Sequence, residues 1–123
     1  LLAACGSTPS WEGFSPVEAG KLQALGVTAA EAQEYRTMGF TSSTVQNWHD
    51  AGIKDLHSVT VWHDAGFHAE EAGQWTAATF TPQKAYDWRK EDFAPLDAAQ
   101  WRDKGYSPRQ AEKRRNKGLS PQD

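Results

Sequence analysis

Two short stretches of the chain carry side chains that could act together chemically. Trp48-His49-Asp50 and Trp62-His63-Asp64 each place an imidazole beside a carboxylate, and both lie inside the string WHDAG. A His–Asp pair can activate a nucleophile in a catalytic triad. The histidines at 49, 57, 63 and 68 also lie close enough in sequence to raise the question of a metal site. Whether these residues have a catalytic, metal-binding or structural role depends on the secondary-structure elements that carry them.

The two WHDAG strings are copies within a tandem repeat of 13 residues that runs from Ser15 to Leu119. The shared pattern is (Ser/Thr)-Pro-x-x-Ala-x-x-Trp-x-x-x-Gly-(Phe/Tyr), and Lys54 is the one inserted residue. Self-similarity at a fixed period predicts a repeat architecture. Repeats 1 to 8 start, in order, at Ser15, Thr28, Thr41, Asp55, His68, Thr81, Ala94 and Ser107.

Each repeat has the start and stop residues of a short helix. Ser or Thr at repeat position 1 is a favoured N-cap, and Pro at position 2 is favoured as the first helical residue. The spacings of Ser15 to Glu18 and of Thr28 to Glu31 predict capping boxes. Gly at position 12 supplies the left-handed residue that ends a helix. Thr79 and Asp92 replace that Gly, and Thr tolerates positive φ poorly, so we expect the turn at Thr79 to differ from the others.

These patterns predict an all-α fold, an array of seven or eight short helices arranged as an α-solenoid or a compact helical bundle. A helix of about ten residues is marginal alone in water, so the repeats must stack to bury their apolar stripes. We expect the helical repeat domain to span residues 15–119, with a flexible tether over residues 5–14 and a C-terminal tail over residues 120–123.

The tryptophans at repeat position 8 have two interpretations. Each holds the apolar position of its helix, three residues after a small Ala or Val, which favours packing in the core. The alternative is an exposed aromatic ladder that stacks on sugar rings or grips a peptide. The series comprises Trp48, Trp62, Trp75, Trp88 and Trp101.

The repeat also bears on the Trp-His-Asp stretches. His49 and His63 occupy position 9, where other repeats carry Arg36, Arg89 or Arg102. A cation there, in the last helical turn, complements the dipole of its own helix. A triad needs unique residues gathered once, and structural zinc favours Cys or tight ligand spacing. We therefore predict no catalytic residues, no metal and no cofactor.

The last repeat is basic. Arg114 takes the Trp position, and a basic last repeat suits a solvated cap at the end of the array. The alternative is that its cluster of basic residues attracts an anionic partner. The net charge of the whole chain is −3 with a pI near 5.8, which argues against nucleic acid as a partner. The cluster comprises Arg109, Lys113, Arg114, Arg115 and Lys117.

The first residues of the chain carry a known motif. Leu2-Ala3-Ala4-Cys5 resembles the lipobox of bacterial lipoproteins at all four positions, and Gly, Ser, Thr and Pro follow the single Cys. The resemblance implies that residues 1–4 are the end of a signal peptide and that Cys5 carries a lipid anchor, which holds the protein at a membrane. Gly6 after the Cys favours the outer membrane, facing the periplasm, over retention in the inner membrane.

These observations together predict a non-enzymatic, lipid-anchored module of the bacterial cell envelope that binds or scaffolds protein partners. The alternative is a carbohydrate-binding or peptidoglycan-binding protein that uses exposed Trp. An enzyme is the third hypothesis.

Overall fold

A computed structural model of the protein describes residues 10–123, and over this range the fold is all-α. Eight α-helices of nine residues each follow one another, so the predicted all-α array of short helices with one helix per repeat is confirmed. The helices are α1 (Pro16–Ala24), α2 (Ala29–Thr37), α3 (Ser42–Asp50), α4 (Leu56–Asp64), α5 (Ala69–Ala77), α6 (Pro82–Lys90), α7 (Pro95–Asp103) and α8 (Pro108–Asn116).

The helices begin where the repeat pattern predicts. The hydroxyls of the N-cap residues accept hydrogen bonds from backbone amides three residues later, as at Thr81, which accepts from the amide of Lys84 at 3.3 Å. Thr28 and Glu31 form the predicted capping box. Ser15 caps α1, but the carboxylate of Glu18 is bonded elsewhere, so the capping box predicted there is only half formed.

The helices end in a recurring six-residue turn. The amide at repeat position 13 donates to the carbonyl at position 8, as from Phe67 to Trp62 at 3.1 Å, and position 12 has positive φ. A second bond runs from the amide at position 12 to the carbonyl at position 9, as from Gly66 to His63 at 2.9 Å. The two bonds form the Schellman motif, which brings the position-13 side chain back toward the position-8 side chain.

The turn at Thr79 was expected to differ from the others, but it also has positive φ and the same hydrogen bonds. Thr79 adopts φ +65°, and Phe80 still donates to Trp75 at 3.0 Å.

The chain forms two compact units, the first ending at Val59 and the second beginning at Thr60, inside α4. In both units repeat positions 5, 8 and 13 supply the buried core. Position 8 of repeat 2 holds Tyr35, which is stacked on Phe40 with ring centroids 5.7 Å apart. Burial raises the pKa of the Tyr35 hydroxyl to about 12. The aromatic core therefore accepts a side chain other than Trp at this position.

Within the first compact unit, α1 and α3 are bridged by a carboxylate. Glu18 accepts one hydrogen bond from the Ser42 hydroxyl at 2.7 Å and another from the Ser42 backbone amide at 3.2 Å. These two bonds hold the pKa of Glu18 below its ordinary value of 4.5. Ser42 stands at the position where four other repeats carry Pro, and the bridge needs the hydroxyl and amide that Pro lacks.

The folded region extends beyond the predicted boundaries at both ends. Gln33 donates from Nε2 to the carbonyls of Ser10 and Glu12, at 2.9 Å each. Residues 10–14 are therefore not part of a free tether. At the other end, Ser120 donates to the Asp123 carboxylate from its amide at 2.6 Å and from its hydroxyl at 2.9 Å. Residues 120–123 form a capped turn instead of an open tail.

Candidate functional site

The five position-8 tryptophans are in the core. Trp75 is 0% exposed and the most exposed of them, Trp62, is only 5% exposed. A stacking ladder for sugars or peptides needs accessible indole faces. The structure contradicts that alternative for Trp48, Trp62, Trp75, Trp88 and Trp101, and the physical reason is the turn that folds the apolar position-13 side chain back toward its Trp.

In the second compact unit these rings form a continuous edge-to-face series. Within one repeat, the rings of Trp75 and Phe80 have centroids 4.9 Å apart at 83°. Between successive repeats, Phe80 and Trp88 have centroids 6.4 Å apart at 67°. Both geometries are favourable for aromatic quadrupoles. The series runs through Trp62, Phe67, Trp75, Phe80, Trp88, Phe93, Trp101 and Tyr106.

Arg114 ends this aromatic series instead of forming a solvated cap. Its guanidinium carbon lies 4.8 Å from the Tyr106 ring centroid, at the place where earlier repeats put a Trp. Its Nη2 donates to the carbonyl of Asp123 at 3.1 Å, and its Nε is buried. The prediction of a solvated Arg114 is therefore wrong, because a guanidinium can lie on an aromatic face as an indole does.

The arginines at repeat position 9 contact the end of the helix two repeats earlier. Arg102 donates from Nη1 to the carbonyl of Ala78 at 2.8 Å, and its guanidinium lies 4.5 Å from the Phe80 ring centroid. Arg102 stands in the last turn of its own helix, as expected, and its long side chain also reaches another helix terminus. The same contact joins Arg36 to Phe14, Arg89 to Phe67, and Arg115 to Phe93.

In the two Trp-His-Asp stretches, each carboxylate has a partner on its own helix. Asp50 accepts a hydrogen bond from Gln46 of its own helix at 2.7 Å, and His63 Nδ1 lies 3.6 Å from Asp64 at an exposed position. Both imidazoles stand at the position that holds arginine in four other repeats. Within residues 10–123, His, Cys, Asp and Glu form no group of three or more that could hold a metal ion.

The basic cluster divides into structural and exposed members. Arg115 donates from Nη2 to the carbonyl of Glu91 at 2.9 Å, and Arg114 is held as described above. Arg109, Lys113 and Lys117 are exposed, and their spacing of four residues places them on one face of α8 and its C-terminal cap. Three of the five predicted basic residues therefore present charge to solvent.

A cleft of about 310 Å³ in the second compact unit was not predicted from the sequence. It lies between the start of α6 and the start of α8, with Phe80, Trp88, Tyr106 and Pro108 among its apolar lining. Lys84 and Asp87 of α6 are among the polar residues that line it.

The repeat positions that meet at this cleft differ in residue type from their equivalents in the first compact unit. Positions 4 and 2 of alternate repeats meet here, and in the first compact unit they are Glu18 and Ser42, which are bonded. Between α6 and α8 the same positions hold Lys84 and Pro108, which cannot form that bond. The sequence shows that Lys84 replaces Glu at position 4. Only the structure shows that this lysine lines a cleft, because that depends on which helices are neighbours.

Cys5 and the motif around it lie outside the described residues. Among residues 10–123, none of the helices has the length and apolar character needed to cross a membrane. No protein-family profile, no curated protein and no solved structure matches the chain.

Proposed function

We propose that the chain is a non-enzymatic binding or scaffolding module for protein partners. A lipid on Cys5 would hold it in the bacterial cell envelope, at the outer membrane and facing the periplasm. The anchor rests on the likeness of Leu2-Ala3-Ala4-Cys5 to a lipobox.

The observation that carries the binding role is the division between constant and variable repeat positions. Positions 5, 8 and 13 are buried in most repeats and hold mainly Ala or Val, Trp, and Phe, so they serve the fold. Position 3 is exposed and changes type from one repeat to another, as in Leu96, which is 77% exposed, and Arg109. Repeat proteins use such a constant core to display a variable surface to partners.

Exposed basic residues at the end of the second compact unit favour a partner with an acidic surface. Arg109, Lys113 and Lys117 project from α8 on the same face, and the hydrogen bonds that hold Arg114 and Arg115 do not involve them. A local cluster of cations on a chain of net charge −3 attracts an acidic surface from solution and speeds its association.

Site-specific photo-crosslinking in native cells tests the binding role. A crosslinking amino acid in place of Leu96 should give a protein adduct, and substitution of Arg109, Lys113 and Lys117 by Gln should reduce its yield. The matched control removes three other basic residues, Lys21, Lys54 and Lys90, and should leave the yield unchanged. The absence of an adduct, or an equal loss in both triple variants, would contradict the proposal.

Mass spectrometry of protein from its native host tests the anchor separately. Residues 1–4 should be missing and Cys5 should be heavier by its acyl chains. Cys5→Ser should release the protein from membranes and still allow the Leu96 crosslink in membrane-free extract. An unmodified Cys5 within a longer chain would end the lipid-anchor proposal and leave the binding proposal intact.

A further inference from the structure

We propose that the cleft between α6 and α8 binds the C-terminal residue of a peptide, with its carboxylate at Lys84 and its apolar side chain on the aromatic lining. The proposal rests on the proposed function only in taking a protein segment as the ligand. It requires neither the lipid anchor nor the exposed basic face of α8.

The equivalent place in the first compact unit already holds a carboxylate. Glu18 reaches the start of α3 there and is bonded twice to Ser42. In the cleft the charges are exchanged: Lys84 replaces Glu18, and Asp87 replaces Lys21. An ammonium group therefore stands where the chain elsewhere puts a carboxylate, and a ligand can supply the missing acid.

Lys84 is the cation available for that acid. Among the described residues no carboxylate lies within 4.0 Å of its ammonium, whereas Arg102 is bonded to Ala78, Thr79 and Asp103. Asp87, which also lines the cleft, accepts a hydrogen bond from Gln83 at 3.1 Å. Its negative charge repels a second anion, so it favours a carboxylate placed at Lys84 over one placed at the Asp87 end of the cleft.

The apolar part of the cleft is packed against neighbouring side chains. Phe80 lies between the Arg102 guanidinium, at 4.5 Å, and the Trp88 ring, at 6.4 Å. Tyr106 and Pro108 complete the apolar lining. A volume of about 310 Å³ is at the small end of ligand pockets, so it suits one residue better than a long segment.

Titration of the full chain with a defined peptide tests the proposal. The probe is acetylated alanyl-phenylalanine with a free C-terminus, and the matched ligand is the same peptide with a C-terminal amide. Calorimetry should show saturable binding of the acid and roughly tenfold weaker binding of the amide, because a charge-assisted hydrogen bond is lost. In nuclear magnetic resonance spectra, the acid should shift the Trp88 indole signal more than that of Trp62.

Variants connect the binding to Lys84. Lys84→Gln should weaken binding of the acid about tenfold and leave binding of the amide unchanged. Lys90→Gln is the matched control on the same helix, outside the cleft lining, and should behave as the wild type. Lys84→Glu combined with Pro108→Ser should rebuild the Glu18–Ser42 bridge at this place and abolish binding, with a helical circular-dichroism spectrum retained.

Three results would overturn the proposal. They are no saturable binding of the acid, equal affinity for acid and amide, and equal affinity of the acid for wild type and Lys84→Gln. The photo-crosslinking test measures protein contact at Leu96 and its dependence on the basic face of α8, whereas the titration measures binding in the cleft alone. Failure of one proposal is therefore distinguishable from failure of the other.

Discussion

The guanidinium of Arg89 lies 3.8 Å from the ring centroid of Phe67, a residue two repeats earlier in the chain. The same guanidinium donates from Nη1 to the carbonyl of Gly66 and to the carboxylate of Glu71, at 3.1 Å each. Position 9 therefore joins alternate repeats, whereas the Trp–aromatic contacts join consecutive ones. Within the second compact unit, the two sets of contacts tie α5 to α6 and α7, and α6 to α7 and α8.

The first prediction concerns this contact. Arg89→Ala should lower the free energy of unfolding by about 2 kcal/mol, because a cation–π contact and charge-assisted hydrogen bonds are lost together. Arg89→Lys should lower it less, since lysine keeps the charge but not the planar stacking and forked bonding. Urea unfolding measures both. Arg109→Ala, at an exposed position of α8, is the control and should change stability by less than about 0.5 kcal/mol.

The second prediction concerns His49, which stands at position 9 of repeat 3. By the equivalence of repeats, an arginine there faces the end of α1, where the carbonyls of Leu25 and Gly26 lie. His49→Arg should therefore stabilise the protein by about 0.3–1 kcal/mol, the value of a cation at a helix C-terminus. His68→Arg, at the N-cap of α5, is the control and should not stabilise. A destabilised His49→Arg variant, or an increase in the wild-type melting temperature on adding zinc, would contradict the structural role.

The repeat pattern predicts local structure well because its information is local. Caps, turns and the apolar stripe depend on residues at most five positions apart, so Thr28, Glu31 and the position-12 glycines could be interpreted directly. The partners of Arg89 and Glu18 lie 18 to 24 residues away in sequence, and a 13-residue period does not say which helices become neighbours. The cleft depends on that neighbour relation, so it could not be predicted from the sequence alone.

The third prediction concerns acid stability. The hydroxyl and then the backbone amide of Ser42 lower the pKa of Glu18 in the folded state. A carboxyl whose folded pKa is depressed stabilises the protein above its ordinary value of 4.5, and this contribution is lost as the pH falls through the folded pKa. Stability should therefore decrease below pH 4.5, and both Glu18→Gln and Ser42→Ala should make that decrease smaller.

Urea midpoints at neutral pH and below pH 4.5 measure the effect of these two variants. Some acid dependence should remain in both, because the pKa of Asp55 is also lowered, by its hydrogen bonds from Ser58. The double variant should resemble the single variants, since each already breaks the same bridge. An unchanged acid dependence in Glu18→Gln would show that the bridge contributes nothing to folding.

The fourth prediction concerns the strained turn residue. Thr79 holds φ +65°, which costs energy for a residue with a branched Cβ. Thr79→Gly should stabilise the protein by about 0.5–1 kcal/mol, because the strain it removes exceeds the two exposed hydrogen bonds of the hydroxyl that are lost, from Arg102 at 3.2 Å and to the Ala78 carbonyl at 2.6 Å. Thr76→Gly, inside α5, is the control and should destabilise by about 1 kcal/mol. Equal losses in the two variants would show that Thr79 is not strained.

The last prediction separates the volume of a core indole from its polar nitrogen. Trp75 is 0% exposed, and its Nε1 is buried with no hydrogen-bond acceptor among the described residues. Trp75→Ala should cost about 3–5 kcal/mol because it leaves a large cavity. Trp75→Phe should cost much less, because it keeps the aromatic contact with Phe80 and removes an N–H group that burial leaves unsatisfied. Trp101→Phe is the control, since its indole nitrogen is not buried without a partner. If Trp75→Phe costs as much as Trp101→Phe in thermal unfolding, the Trp75 nitrogen carries no penalty in the fold.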